Sequence, residues 1–205
     1  FSSLVYRYQG GKALSWGNYG SGFSNGYFRN QEASPTMQAF QDRFAPNSSN
    51  PNFAVNGRNY STSVADAQNA ADAFINTTAP VGMVLNARIE GDELIIDAEA
   101  EAFENAAGTY VLGAYLIEDK ALGPQSGDAG ANGDAEHHNV MRGSLSDNAW
   151  GEVIAEDGLV AGAVYGKTFK MDIPEGYNRY NFAYGLIVWK RISTVHIFVN
   201  AYATQ

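Results

Sequence analysis

The stretch GMVLNARIEGDELIIDAEAEA (residues 82–102) predicts two β-strands that pair as a hairpin around Gly91 and Asp92. Gly and Asp readily adopt the backbone angles that a tight hairpin turn requires. Further strand-like segments follow, each bounded by Gly, Asn, Asp or Pro, and they span residues 108–119, 139–146, 163–173, 180–191 and 193–204. Seven strands joined by such turns favour an antiparallel β-sandwich over residues 80–205, of the immunoglobulin-like or jelly-roll type. The last two strands are predicted to form a closing hairpin.

Two helices are predicted in the N-terminal part. The first spans residues 34–44, because Ser34 is a favoured N-cap and Pro35 a favoured first helical residue. The second spans residues 63–77 and has Ser63 as its N-cap. The apolar side chains predicted to line the buried faces are Met37, Phe40 and Phe44 in the first helix, and Val64, Ala67, Ala71, Phe74 and Ile75 in the second.

Strand-like pieces accompany these helices. Residues 4–10 (LVYRYQG) alternate apolar and polar side chains, which is typical of a strand. Residues 50–57 (NPNFAVNG) predict a short strand with a turn at Asn56-Gly57. The intervening residues 11–30 form a loop rich in Gly, Asn, Tyr and Phe. The sequence therefore predicts a small α/β region in the N-terminal part.

Composition excludes several classes of protein. The chain has 205 residues, of which 45% are hydrophobic and 13% aromatic, so it can bury a core and is not a disordered polymer. The formal net charge of −9 and the scattered basic residues disfavour nucleic acid and anionic membrane surfaces as partners. There is no cysteine, which removes disulfides, thiolate metal sites and thiol nucleophiles. No apolar run approaches the roughly 20 residues of a membrane-spanning helix, and the first residues resemble a strand more than a signal peptide.

Short motifs of the second half occur in an order that resembles a known family. They are GAYLIEDKALGPQSG (113–127), EHHNVMRGSL (136–145), WGEVI (150–154) and a final strand pair that contains VNA (199–201). The chain is similar here to the outer-membrane protein twenty-eight-related lipoproteins of Bacteroidota. The resemblance implies a location in the cell envelope, at the outer membrane or the extracellular surface.

The same resemblance implies a thioredoxin-like domain ahead of the sandwich. Residues 1–79 are then a partial thioredoxin-like α/β region. The fold class is mostly β, or α+β overall. Residues 50–57 resemble the proline-led strand of that fold, with Pro51 as a candidate cis-proline, and residues 63–77 resemble its last helix. Because the chain lacks cysteine, thiol–disulfide exchange is not carried over.

The stretch DAEHHNVMRG (134–143) is the most polar candidate site, and it follows a predicted long loop over residues 120–138. His137 and His138 are adjacent, so on an extended chain they point to opposite faces. This favours the entrance of a strand, where polar groups bond nearby backbone. The family has His-Asn-His where this chain has His137-His138-Asn139, so a function that requires the family's pair is not transferred.

A hard-ion site is the alternative for this region. The candidate calcium ligands are Asp128, Asn132, Asp134 and Glu136, which supply oxygen donors in a Gly-rich loop. Their spacing does not match an EF-hand. The competing interpretation is a solvated acidic loop, and no other cofactor is expected.

No arrangement in the sequence indicates catalysis. There is no Gly-x-Ser-x-Gly elbow. His196 lies in the middle of a predicted strand, where a packed or half-exposed histidine is common. The carboxylate pairs Glu118-Asp119 and Glu156-Asp157 lie at strand ends and are predicted to be solvated. We therefore expect a protein that is not an enzyme.

The aromatic loop is the candidate binding segment. Its residues are Trp16, Tyr19, Phe23, Tyr27 and Phe28. Aromatic rings with Asn and Gly can stack on sugars or anchor a protein partner, and they can also simply cover a sheet. The sequence thus predicts a structural or accessory subunit of an outer-membrane or extracellular assembly, acting through contact with a protein partner or through self-association. The alternative is a surface module that binds a glycan or a peptide through residues 16–28.

Overall fold

The computed structural model describes residues 34–44, 53–60, 62–75, 77–124 and 134–204. The helices are α1 (Ser34–Phe44) and α2 (Val64–Ile75), with one 3-10 turn at Arg179–Asn181. The strands are β1 (Ala54–Val55), β2 (Arg58–Asn59), β3 (Val81–Glu90), β4 (Glu93–Ala102), β5 (Thr109–Glu118), β6 (Ala121–Pro124), β7 (Asp134–His137), β8 (Val140–Ser144), β9 (Glu152–Ala155), β10 (Val164–Asp172), β11 (Phe182–Ile192) and β12 (Val195–Thr204).

Two antiparallel sheets form the body of the molecule. One has the order β10-β4-β3, and the other has the order β12-β11-β5-β8, with β9 also paired to β5. The turn between β3 and β4 lies at Gly91-Asp92, because Glu90 pairs with Glu93. The closing hairpin is formed by β11 and β12. The predicted antiparallel sandwich is therefore confirmed.

The main core lies between the two sheets. Period-2 alternation places every second side chain of each strand on the inner face. In β4 these are Leu94, Ile96, Ala98, Ala100 and Ala102, all at most 2% exposed. They pack against residues of the facing sheet, including Leu112, Leu116 and Leu186. Burying one such leucine or isoleucine contributes about 1.5–3 kcal/mol.

Strand β5 is buried on its outer face as well. Val111 and Tyr115 point away from the sandwich core and pack against helix α1, whose Met37 and Phe40 are 4% and 3% exposed. The backbone N–H of Ser144 in β8 donates to Thr36 Oγ1 at 3.1 Å, which ties the start of α1 to the sheet. The predicted helix over 34–44 and its apolar face are confirmed.

Helix α2 begins where the sequence predicts. Ser63 Oγ accepts a hydrogen bond from the backbone N–H of Asp66 at 3.2 Å, as an N-cap should. Only Ala67 among its described residues is fully buried, and Phe74 is 48% exposed. The predicted burial of Phe74 is wrong, because in the described part of the chain the closest neighbour of α2 is the small β1–β2 hairpin.

Two features differ from the sequence prediction. The segment predicted as one long loop begins and ends with strands β6 and β7, which pair with each other from Ala121↔His137 to Pro124↔Asp134. The sequence does not predict β6 as a strand because two of its four residues are Gly and Pro, which are uncommon in strands. The short β9 was not predicted either, since its four half-buried residues show no alternation.

The division of the chain at residue 79 remains a prediction. Helix α1 packs directly on the five-stranded sheet and so shares the packing of the sandwich. The hairpin of β1 and β2 has the predicted turn, with Asn56 and Gly57 at positive φ. The predicted strand 4–10 and Pro51 lie outside the described residues.

We predict that Gly151→Ala destabilises the fold far more than Gly162→Ala. Both glycines have positive φ, +107° and +80°, so either alanine carries a strain of about 1 kcal/mol. A Cβ on Gly151 would also overlap the backbone of Leu112 and Gly113, whereas Gly162 has open space. Urea denaturation should give a loss of about 3 kcal/mol or more for Gly151→Ala. Equal losses for the two variants would contradict this packing.

Candidate functional site

The polar stretch 134–143 forms the end of one hairpin and the start of strand β8. His137 is buried, and its Nε2 donates to the carbonyl oxygen of Gly123 at 3.1 Å. This bond joins β7 to β6 and assigns the ring proton to Nε2. The interpretation of this stretch as a strand entrance bonded to nearby backbone is confirmed for His137.

His138 points to different partners, as adjacent residues on an extended chain should. Its Nδ1 lies 2.7 Å from Oδ1 of Asp119, and its Nε2 lies 3.3 Å from Oε1 of Glu136. Asp119 Oδ1 also accepts from the backbone N–H of Asn139 at 3.3 Å. The imidazole therefore bridges two carboxylates and fixes the turn before β8.

The calcium hypothesis stays a prediction. Asp128 and Asn132 lie outside the described residues, as does the side chain of Asp134. The fourth candidate, Glu136, is bound to His138. Among the residues that the structure describes, no group of three or more histidine, aspartate or glutamate side chains is arranged to hold a metal ion.

A buried ion pair lies beside this turn, and the sequence did not predict it. Arg142 Nε and Nη2 both bond Oε2 of Glu118, at 2.7 and 2.6 Å. The two side chains are only 6% and 3% exposed. Glu118 was predicted to be solvated at a strand end, and that prediction is wrong because Arg142 neutralises it inside the protein.

The segment after β10 completes this polar cluster. The guanidinium of Arg142 stacks over the ring of Tyr177, with its central carbon 4.1 Å from the ring centroid. The backbone N–H of Asn178 donates to Oε1 of Glu118 at 2.9 Å. The ion pair thus joins β5, β8 and the segment before β11, and its role is structural.

An open cavity of about 420 Å³ borders the same segment. Its lining includes Tyr177, Asp92 and Arg179. Arg179 is occupied, because it donates to the carbonyl oxygen of Gly91 at 2.7 Å and pairs with Asp92. These contacts hold the β3–β4 turn against the segment 173–179.

A second candidate site lies on the outer face of the five-stranded sheet, at the end of α1. A cluster of aromatic rings covers this face: Phe40, Phe44, Tyr115, Trp150, Trp189 and Phe198. Trp189 Nε1 donates to the Tyr115 hydroxyl at 3.2 Å, and that hydroxyl donates to the carbonyl oxygen of Ala149 at 2.9 Å. Burial raises the pKa of Tyr115 far above its usual range, so the phenol stays neutral.

A turn centred on Asn148 brings Trp150 into this cluster. Asn148 Oδ1 accepts from the backbone N–H groups of Trp150 and Gly151, and its Nδ2 donates to the Gly151 carbonyl. Gly151 then passes against the backbone of β5 where a side chain would not fit. The indole of Trp150 stacks flat on His196, with the centroids 4.5 Å apart and the planes at 3°.

His196 is half-buried in this stack, as its mid-strand position predicted. Burial, followed by the positive charges of Arg191 and Arg43, lowers the pKa of the imidazole below its ordinary value. Its Nδ1 is shielded from solvent and has no hydrogen-bond partner within the described residues. The site therefore combines a neutral imidazole with two exposed arginines.

The sequence pointed to other residues for binding. Trp16, Tyr19, Phe23, Tyr27 and Phe28 lie outside the described residues, so the aromatic-loop hypothesis stays a prediction. The surface at Trp150 was missed because its members come from distant parts of the chain. Two signals were visible, namely the WGEVI motif and the basic pair Lys190-Arg191.

Comparison with known proteins gives the family. The family described as "Outer membrane protein Omp28" matches residues 38–194. The chain belongs to the Omp28 family. This confirms the resemblance drawn from the short motifs and the predicted location in the cell envelope, since the family is one of outer membrane proteins. No helix of the described residues has the length and apolar character needed to cross a bilayer.

The fold of this chain is similar to that of a solved structure, HBP35, and a second structure aligns with part of it. HBP35 of Porphyromonas gingivalis aligns with a TM-score of 0.65 at 16% identity, covering 82% of this Omp28-family chain and 56% of HBP35. A domain of the outer membrane lipoprotein Omp28 from the same organism aligns with a TM-score of 0.41 at 14% identity, covering 63% of this chain and 89% of the domain. The chain thus spans little more than half the length of the HBP35 structure. No curated protein matches its sequence.

We predict that Arg142→Met lowers the free energy of unfolding by about 3–5 kcal/mol, because it leaves Glu118 charged, buried and unpaired. The double variant Glu118→Gln with Arg142→Met should recover part of this loss, since the amide carries no charge. Urea denaturation measures both variants. Glu93→Gln, which breaks an exposed pair with Lys170, is the control and should have a much smaller effect. A double variant less stable than Arg142→Met would show that the buried charge is not the cause.

We also predict a pH-dependent contribution from His196. Its pKa is lowered in the folded protein, so the unfolded chain binds a proton more readily. The resulting stabilisation is complete above the ordinary histidine pKa of about 6.5 and is lost as the pH falls from there towards the folded-state pKa. His196→Phe keeps a ring on Trp150 and should flatten this dependence. The comparison is the free energy of unfolding of both proteins between about pH 8 and pH 5. A difference between them that is constant over this range would contradict the prediction.

Proposed function

We propose that this chain acts in the cell envelope as a non-catalytic structural or accessory subunit, through protein–protein contacts. The observation that carries the proposal is an exposed aliphatic face at the end of the β11–β12 hairpin. Ile192, Val195 and Ile197 are 52%, 40% and 45% exposed. Ile192 pairs directly with Val195, and Ile197 follows two residues later, so the three side chains share one face. We call these residues the hairpin patch.

The position of this patch suits contact with another protein. The opposite face of the hairpin is occupied by the aromatic cluster on the outer side of the sheet, since Phe198 contacts Trp189 with ring centroids 6.0 Å apart. In the described part of the chain β12 has a ladder partner, β11, on one side only. Exposed aliphatic side chains beside a free strand edge are typical of surfaces that a partner covers.

Contact between β12 and the other sheet is made further along the strand. Asn200 Nδ2 donates to the carbonyl oxygen of Val81 at 2.7 Å, which closes that end of the sandwich. The hairpin patch lies at the opposite end of β12, beyond this contact. Membership of an outer membrane protein family supports the location that the proposal assumes, the cell envelope.

We predict that the double variant V195D/I197D keeps its fold but no longer joins its complex in the cell envelope. Two carboxylates on the hairpin patch cannot be buried against an apolar partner without a large desolvation cost. The measurement is the native size of the complex that contains this chain after mild detergent extraction of the envelope, together with the melting temperature of the purified protein. Val160→Asp is the matched control, since Val160 is 59% exposed on a different loop. An unchanged complex in V195D/I197D would overturn the proposal.

A further inference from the structure

A positively charged surface surrounds the stacked rings on the outer face of the five-stranded sheet. Its members, here called the basic patch, are Arg43, Phe44, Trp150, Arg191 and His196. Phe44 and Trp150 meet edge to face with centroids 5.7 Å apart, and Trp150 stacks on His196. Arg191 lies directly opposite His196 in the β11–β12 ladder, and Arg43 is over the ring of Phe44.

The charges of this patch are available to a partner. Arg43 and Arg191 are both exposed. Neither has an acidic side chain within ion-pair distance in the ranges that the structure describes. The chain as a whole has 13 basic and 22 acidic residues, so two unpaired arginines beside aromatic rings contrast with the rest of the surface. Such a combination favours a partner that presents carboxylates next to apolar groups.

A surface with carboxylates next to apolar groups lies on the opposite side of the same molecule. It lies at one end of the outer face of the three-stranded sheet, and we call it the acidic patch. Its members are Val84, Glu99, Glu101, Phe103 and Val164. Val84 pairs with Glu99, and Val164 pairs with Glu101, so the side chains are neighbours on one face. Val84, Phe103 and Val164 are 56%, 58% and 56% exposed.

The two glutamates of the acidic patch differ from the other acids on that face. Asp97 pairs with Arg88, and Glu93 pairs with Lys170 at 2.8 Å. Glu99 and Glu101 have no basic side chain within ion-pair distance among the described residues. The face therefore has one end where charges are neutralised within the chain and one end where they are not.

We propose that the basic patch of one copy of this chain binds the acidic patch of a second copy. The patches match in sign of charge, and each adds exposed apolar or aromatic surface to its charged groups. They lie on the outer faces of the two sheets with the core between them, so they cannot meet within one molecule. A contact between two different patches leaves one of each free on every dimer, and further copies add head to tail.

This inference rests on the proposed function, because it names one partner of the assembly as the chain itself. The contact is independent of the hairpin patch, since Val195 and Ile197 point to the face opposite His196. It consists largely of exposed charges, so it should weaken as ionic strength rises.

Sedimentation velocity of the purified full chain tests the contact. We expect the sedimentation coefficient of the wild-type protein to rise with concentration, and to rise less at high salt. The charge-reversal variants R43E/R191E and E99K/E101K should each weaken self-association by about tenfold or more, because like charges then face each other. The variant that carries all four substitutions should recover it, since the charges are exchanged and the pairs are kept.

The control for E99K/E101K is E156K/D157K, which makes the same change of net charge on a different exposed turn and should associate as the wild type does. Melting temperatures establish that each variant is folded. A wild-type protein that stays monomeric, or a fourfold variant that fails to recover, overturns the copy-to-copy contact. Neither result touches the proposed function, which is tested by the loss of the envelope complex in V195D/I197D. Self-association that persists in V195D/I197D supports two separate contacts.

Discussion

Strand β5 has to be covered on both faces, and the rest of the described structure is arranged around this constraint. Its inner side chains, such as Leu112 and Leu116, are covered by the three-stranded sheet. Its outer side chains, Val111 and Tyr115, would face water in a bare sandwich, and helix α1 covers them. Burial of a tyrosine also requires a partner for its hydroxyl, and the Ala149 carbonyl supplies it. The helix and the 145–151 connection therefore form a second core on the outer face of the five-stranded sheet.

The same constraint produces the surface at Trp150. Covering Tyr115 brings the end of α1, the Asn148 turn and the β11–β12 hairpin together, so Arg43, Trp150 and His196 become neighbours. At the other end of β5 the chain buries a charge, Glu118, which only a bonded cation can balance. Such a pair adds little net stability, but it specifies which segments lie side by side. One strand thus fixes both the basic patch and the polar cluster.

The sequence predicts features that depend on neighbouring residues and misses those that depend on distant ones. The turn at Gly91-Asp92, the N-cap at Ser63 and the apolar face of α1 follow from local patterns, and all three are confirmed. The partner of Glu118 is Arg142, and no local pattern joins them. The cluster at Trp150 combines α1, β11 and β12, so only the folded chain reveals it. The candidate ligands Asp128 and Asn132 lie outside the described residues and stay predictions.

A β-bulge explains how β12 exposes side chains at one end and packs into the sandwich core at the other. The ladder with β11 slips between Val188 and Trp189, so Val188 pairs with Asn200 while Trp189 pairs with Phe198. Val199 is the extra residue, and it turns towards the sandwich core while Phe198 stays in the outer cluster. Before the bulge, β12 presents its aliphatic side chains to solvent. After the bulge, it closes the sandwich against β3. A single inserted residue therefore separates the segment that closes the sandwich from the segment whose aliphatic side chains are exposed.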